Sequence, residues 1–286
     1  MEESGHAGKR EIEDEIHRAG PEELTYAEYL RLDILLSAQR PRSRPEHHDE
    51  LLFIIQHHTS ELWFKLVIHE LSYAIERIAA DDLSPALKAI ARVKHVQRQL
   101  FDQWSVLETL TPTEFAQFRG QLAQSSGFQS VQYRIVEFLL GNKNAEMVDM
   151  FDEDPPRQRQ LRDALHRPSL YDEFLRYLHR HGYHVPPELL DRDFSQPYVE
   201  NQGLIPTLKE IYENPEKHWR MWETCEELVD MEEVFQLWRF RHMKVVERII
   251  GFKPGTGGSS GVAFLREALR LTFFPEIMSV RTEIGR

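Results

Sequence analysis

Phe235–Leu265 reads FQLWRFRHMKVVERIIGFKPGTGGSSGVAFL, a long apolar-striped segment followed by a loop of Gly, Ser and Thr. Phe235, Trp238, Val245, Val246 and Ile249 lie 7, 4, 3, 4 and 7 residues from His242. At the helical period they share one face with it. Arg241, Lys244, Glu247 and Arg248 fall largely elsewhere and are expected in solvent. His242 is therefore the lone ionisable group on a face that should be buried. A neutral imidazole in an apolar wall needs a partner, whether a backbone carbonyl, a carboxylate or a metal. The Gly255–Gly261 loop has four glycines in seven residues, which lets backbone approach another group closely. It fits neither phosphate-binding pattern, because no Lys follows Gly261 and Ser260 interrupts G-x-G-x-x-G.

Outward from this stretch, the same period recurs. Glu46–Ala80 predicts a long helix with Phe53, His57, Glu61, Phe64 and Ile68 on one stripe. His58, about 100° round the helix, reads as an ordinary polar residue. Leu83–Leu107 predicts another helix, with Trp104 near its end. Thr111-Pro112-Thr113-Glu114 is a helix start: Thr111 as N-cap, Pro112 at the first position, Glu114 reaching back. The helix it opens carries Phe115, Arg119 and Leu122 on one side. An arginine among apolar residues either snorkels or aims a guanidinium fork at a carboxylate. Ser125–Ser130 is a second small-residue turn, leading into a helix that ends at Gly141–Asn144. Phe151–Arg157 (FDEDPPR) reads as an acidic Pro turn, and Leu161–Arg180 as one or two helices. Thr25–Ala38 predicts an amphipathic helix with Tyr26, Tyr29, Leu30 and Asp33 on one side. Thr207–Tyr212 and Lys217–Gly251 are helical, and the apolar Val262–Phe274 closes the chain. His179, His181 and His184 sit in a polar, Arg-rich stretch and read as a solvated helix end. His69-Glu70 begins H-E-x-x-H, but Tyr73 breaks it. No Glu-x-x-His in the central helices suggests a di-iron bundle.

With no strand alternation and no internal repeat, the fold class is all-α: a helical bundle with long central helices plus short peripheral ones. At 286 residues, residues 1–20 are expected as a disordered tail and 21–286 as a single domain. The net charge of −12 argues against nucleic-acid and anionic-membrane partners. Cys225 is the only cysteine, so no internal disulfide and no Cys-x-x-Cys-His haem attachment exists. The opening MEESGHAGKREIEDEIHRAG has no apolar core and does not read as a secretory signal. No apolar run approaches membrane-spanning length, and a cytoplasmic location is expected.

Two histidines on apolar stripes of different long helices, Arg119 on a third, and two small-residue turns able to offer N–H groups to an anion suit a large flat ligand with acidic edges. A small molecule with a carboxylate would lie beside it. Haem fits the first description, with one histidine on iron and the other facing the open side.

The motifs Phe53-Ile-Ile-Gln-His57-His-Thr-Ser-Glu-Leu-Trp63, Ser126-Gly127-Phe128-Gln129-Ser130, Trp238-Arg-Phe-Arg-His242 and Gly255-Thr256-Gly-Gly-Ser-Ser-Gly261 closely resemble those of the tryptophan 2,3-dioxygenase family. The resemblance runs from about Leu24 to Phe274. It implies an all-α fold enclosing a haem pocket, usually in a homotetramer. It also implies insertion of both atoms of O₂ across the indole C2–C3 bond of L-tryptophan to give N-formyl-L-kynurenine, the opening of the kynurenine route of tryptophan breakdown. By that resemblance His242 is the axial ligand of haem b, one per subunit and ferrous when active. Ser126 and Gly127 lie next to the haem. His57 is the catalytic distal histidine that meets the indole N–H. Arg119 pairs with the substrate carboxylate, and Thr256 contacts the amino-acid end. Phe53, with Ile54, Ile55 and Gln56 of the same run, and Phe115 belong to the substrate pocket. Tyr26, Tyr29 and Leu30 lie on an N-terminal helix that reaches into the neighbouring subunit's site. Phe115 stands where relatives often carry Tyr, which removes a hydroxyl while leaving ring packing possible. A non-catalytic haem-binding or gas-sensing protein on the same helices would need His242 but not the Arg119/Thr256 pair. A metal-free helical scaffold would need neither.

Overall fold

The computed structural model describes residues 23–285 together with Glu13, Ile16 and Gly20. Apart from those three residues, the expected tail at 1–20 lies outside the described residues. Contacts group residues 1–40 as one unit and 41–286 as another. In the first, α1 (Tyr26–Leu30) and α2 (Leu32–Leu35) replace the single helix expected over Thr25–Ala38. Thr25 and Glu28 form a capping box that starts α1. Arg31 then turns left-handed at φ 50° and its N–H caps the carbonyls of Ala27 and Glu28, ending the helix. Tyr26, Tyr29 and Leu30 are all exposed on this unit.

The second unit holds α3 (His48–Ala79), α4 (Leu83–Asp102), α5 (Trp104–Leu107), α6 (Pro112–Arg119), α7 (Val131–Leu140), α8 (Glu146–Asp149) and α9 (Pro155–His166). It continues with α10 (Leu170–Arg180), α11 (Pro187–Leu190), α12 (Ile205–Glu213), α13 (Pro215–Ile250), α14 (Val262–Ala268) and α15 (Pro275–Ser279). No β-strand occurs among the described residues. The long helices α3, α4 and α13 form the centre, with α7 and α10 packed on α3. On α4 the residues Leu83, Ala86, Ala89, Ile90, Val93, Val96 and Leu100 recur every three or four positions and are all buried. Burying each larger one stabilises by roughly 1.5–3 kcal/mol, so this stripe outweighs the bridges Arg92–Glu70 and Lys94–Glu227 at its edges. A smaller core of Phe138, Val148, Phe151, Leu161, Ala164 and Leu165 fills the space around α7 and α9.

Local chemistry sets the helix ends. Buried Glu50, in the first turn of α3, accepts from Arg42 N (2.7 Å) and Ser43 N (2.9 Å), which ties the incoming chain to the helix. The expected Thr111–Glu114 capping box starts α6. The helix expected over Leu83–Leu107 divides at Gln103, whose amide bridges Thr59 and Ser60 of α3. The FDEDPPR turn is already the start of α9: Asp154 caps Arg157 N and proline fills the first position, where no donor is needed. The closing apolar segment is helical only from Val262 to Ala268. Helix α13 has a non-helical residue at His218 and ends where Gly251 takes φ 62°. No helix among the described residues is long and apolar enough to cross a membrane.

Candidate functional site

Helices α3, α6, α7 and α13 and the two small-residue turns enclose a cavity of about 1060 Å³. This is at the upper end of small-molecule sites, which run to roughly 1,000 Å³. One wall is the α13 stripe: Trp238, His242, Val245, Val246 and Ile249 all line it. Opposite in sequence, Phe53, His57, Glu61 and Phe64 line it from α3, as their stripe requires. Phe115 and Arg119 come from α6, Ser126 and Gly127 from the first turn, and Thr256 from the second. Eight residues expected at the site thus meet in one cavity.

The two imidazoles are held differently. His57 Nδ1 lies 2.8 Å from the Phe53 carbonyl. A carbonyl only accepts, so Nδ1 carries the proton and the neutral ring keeps Nε2 as an acceptor. Burial pushes the His57 pKa down, partly opposed by the Phe53 hydrogen bond. The Phe53 ring packs on it at 4.2 Å and continues to Phe115 and Phe118, both 5.7 Å away. His242 makes no hydrogen bond to any described residue. Its ring lies parallel to Trp104 at 4.8 Å and tilted against Trp238 at 5.6 Å. Burial pushes its pKa down to about 4, and the nearby His57 adds to the shift. Both histidines are therefore neutral near pH 7.

The turns are fastened to each other. Thr256 Oγ1 donates to the Ser125 carbonyl at 2.6 Å, and Arg119 Nη2 donates to the Pro254 carbonyl at 2.6 Å. The first turn is ordered by Ser126, whose hydroxyl accepts from Phe128 N. Gly257 comes so close to it that an added Cβ would stand 2.6 Å from Ser126 Cβ. Gly261 has φ 66°, and a Cβ there would meet the Lys253 carbonyl at 2.6 Å. Only glycine fits either position without moving backbone.

A buried charge cluster lies along the same cavity. Glu137 accepts from Arg134 Nη1 at 2.5 Å and from Arg239 Nη2 at 3.0 Å. Arg134 and Glu137 line the cavity, and Arg134 Nε is buried without a partner. Two guanidinium groups around one carboxylate leave a formal charge of +1. Buried Glu232 also interacts with Arg239, so the part of this wall that suits an anionic group is Arg134, which lines the cavity and has an unpartnered Nε.

Ile54, Ile55 and Gln56 do not line the cavity. One helical turn from Phe53 to His57 returns to the same face, and the residues between point away from it. Gln56 is buried on another side, with Nε2 unpartnered, and Ile55 is exposed. The pattern reading also missed contributors. Trp104 carries no local signal, because a tryptophan near a helix end reads as packing. Arg134 and Glu137 did leave one: an i,i+3 charge pair inside the apolar run VQYRIVEFLL.

The family model described as tryptophan 2,3-dioxygenase matches residues 10–180 and 164–284. The chain is 64% identical to the tryptophan 2,3-dioxygenase of Kineococcus radiotolerans over 276 residues, 96% of each chain. It is 58% identical to that of Serratia proteamaculans, over 97% of this chain and 99% of the relative. To the enzyme of Xanthomonas euvesicatoria it is 57% identical, over 96% of this chain and 93% of the relative.

Proposed function

The chain belongs to the tryptophan 2,3-dioxygenase family, and from that membership we propose that it oxidises L-tryptophan with O₂ to N-formyl-L-kynurenine in the cavity between His57 and His242. Both oxygen atoms enter the product, so no external reductant is consumed.

Haem b is the cofactor this reading calls for, and the residues fit it. His242 offers a neutral ring with no protein partner on the wall of a cavity large enough for a cofactor and a substrate. Arg134, which lines the cavity beside Glu137 and keeps an unpartnered Nε, suits the carboxylates of the haem edge. Ser126 and Gly127 would pack beside the ring. When bound, ferrous haem supplies the oxygen chemistry, which no side chain can.

The chain's own residues bind, orient and desolvate the substrate. Arg119 spends one donor on the Pro254 carbonyl and has others left for a bidentate pair with the tryptophan carboxylate. Thr256 donates its proton to Ser125, so its hydroxyl oxygen remains free to accept from the substrate ammonium. His57 Nε2 accepts the indole N–H. With Nδ1 held on the Phe53 carbonyl, the ring is fixed so that Nε2 orients the indole. Phe53 and Phe115 exclude water around the ring. Holding both ends of the substrate makes the reacting groups neighbours, which is where the protein contributes most to rate.

In the assembled protein the reading is a homotetramer in which α1 covers a neighbour's site. What supports this is the exposure of Tyr26 (77%) and Tyr29 (74%), two large aromatic rings that a single chain leaves in water.

The observation that carries the proposal is the single cavity joining unpartnered His242, the His57 acceptor and the Arg119/Thr256 pair. The test is anaerobic reduction of haem-loaded protein, followed by L-tryptophan and then O₂. Formation of N-formylkynurenine absorbance in the near ultraviolet with a haem spectrum is expected. Haem without product, and without a tryptophan-dependent spectral change, would overturn the assignment in favour of a haem sensor.

A further inference from the structure

The ring of a metal-binding histidine is ordinarily oriented by its second nitrogen, which donates to a carbonyl or carboxylate. That bond stops rotation about Cβ–Cγ and raises the basicity of the ligating nitrogen. At His242 no described residue supplies it. Two indoles stand there instead. Trp104 faces the imidazole at 4.8 Å with only 7° between the planes, and Trp238, one turn earlier on α13, meets it at 5.6 Å and 31°. The two indoles also contact each other, at 6.0 Å, so the slot is braced from both sides. Both are buried, Trp104 at 5% and Trp238 at 7% exposure.

We infer that Trp104 is the positioning residue that sets the rotation of the His242 ring, by stacking in place of a hydrogen bond. The inference rests on the reading of His242 as the haem ligand. Trp104 Nε1 is buried and has no acceptor, so the indole acts through its flat face and not through its N–H. The delivery is tertiary: Trp104 comes from α5, a four-residue helix beyond the break at Gln103. That break is held by Gln103 against Thr59 and Ser60, so the α3–α5 junction fixes where the indole lies. A ring aligned by stacking gains no electron density from a bonded anion.

The test uses haem-loaded protein and two readouts other than turnover: the iron–histidine stretching band of the ferrous form by resonance Raman, and the rate of haem transfer to an apoglobin acceptor. Trp104→Leu should broaden and shift the band. It should speed haem transfer about two- to ten-fold, matching the roughly 0.5–1.5 kcal/mol that an aromatic pair contributes. Trp104→Phe, which keeps a flat face and loses the N–H, should return both close to native. Trp104→Met also lacks a flat face but fills an irregular gap more adaptably; it should behave as leucine does, giving the same reading if the leucine variant fails to fold. A native band and native transfer rate in the leucine or methionine variant would overturn the inference. So would a phenylalanine variant displaced as far as they are. His242→Gly tests the underlying reading separately: loss of the band, restored by added imidazole, upholds the ligand. A native band in that variant removes the ligand assignment whatever Trp104 does.

Discussion

Replacing Gly257 by alanine should weaken tryptophan binding without unfolding the protein. The added Cβ would stand 2.6 Å from Ser126 Cβ and 3.0 Å from its Oγ. Ordinary carbon contacts lie near 3.5–4.0 Å, so the two turns must separate by roughly 1 Å. Ser126 Cβ is attached directly to backbone and cannot swing aside. The Thr256–Ser125 bond, at 2.6 Å, would then stretch past hydrogen-bonding range. Losing it costs about 0.5–1.5 kcal/mol, and overpacking adds about 1–3 kcal/mol. If a third of the larger sum appears in the bound state, the apparent affinity falls about ten-fold, since a factor of ten is roughly 1.4 kcal/mol. Gly257 does not occupy the left-handed region, so close approach alone accounts for the effect. The assay is steady-state KM for L-tryptophan, with the haem spectrum as the occupancy control. Gly120→Ala is the reference substitution: its backbone is helical, at φ −61°, and a Cβ there meets nothing within 4 Å. A KM within two-fold of native at full haem occupancy would refute the idea that the joined turns clamp the substrate.

Arg119→Lys should raise KM about ten- to hundred-fold with the haem spectrum unchanged, because one ammonium cannot hold the Pro254 carbonyl and both oxygens of a carboxylate. The corresponding loss is about 1.5–3 kcal/mol, and an unchanged KM would count against the pairing. Gly127→Ala should leave stability within about 0.5 kcal/mol, since a Cβ there meets no protein atom within 4 Å. Haem occupancy should nevertheless fall, measured as Soret absorbance per chain; undiminished occupancy would remove Gly127 from the cofactor site. In haem-free protein, acid should destabilise the fold through His242. Its pKa is about 4 when folded against an ordinary value of 6.5, so the unfolded chain binds the extra proton between those values. Stability from this group is complete above pH 6.5 and is lost as pH falls towards 4. The total is about 3 kcal/mol at 1.36 kcal/mol per unit, and His57 adds in the same direction. Urea unfolding at pH 7 and pH 4.5 should show a smaller difference for His242→Leu than for the native chain. Equal differences would show that His242 does not titrate across this window.

Periodicity in the sequence was sufficient for the class of fold and for the two helix stripes that face each other across the site. Phe53, His57 and Phe64, or Trp238, His242 and Val245, recur with the turn of a helix, and an apolar stripe must be buried somewhere. Capping chemistry made Thr111 legible as a helix start, because its partner Glu114 is only three residues away. The motif resemblance went further: it chose the carboxylate-pairing reading of Arg119 over the snorkelling one, and suggested roles for Thr256 and Ser126 that no periodicity carries. Non-local and stereochemical facts were out of reach. Arg31 could not be recognised as a left-handed break in Thr25–Ala38, since an exposed arginine is normally at home in a helix. Ile54, Ile55 and Gln56 share a motif with His57 but lie off the cavity, because a run read along the chain ignores rotation about the helix axis. Trp104 and His242 are far apart in the chain and meet only when α5 docks on α13. The Thr256–Ser125 bond spans a similar separation. A sequence shows which residues one element offers to a common face; which faces meet is decided by how whole helices pack.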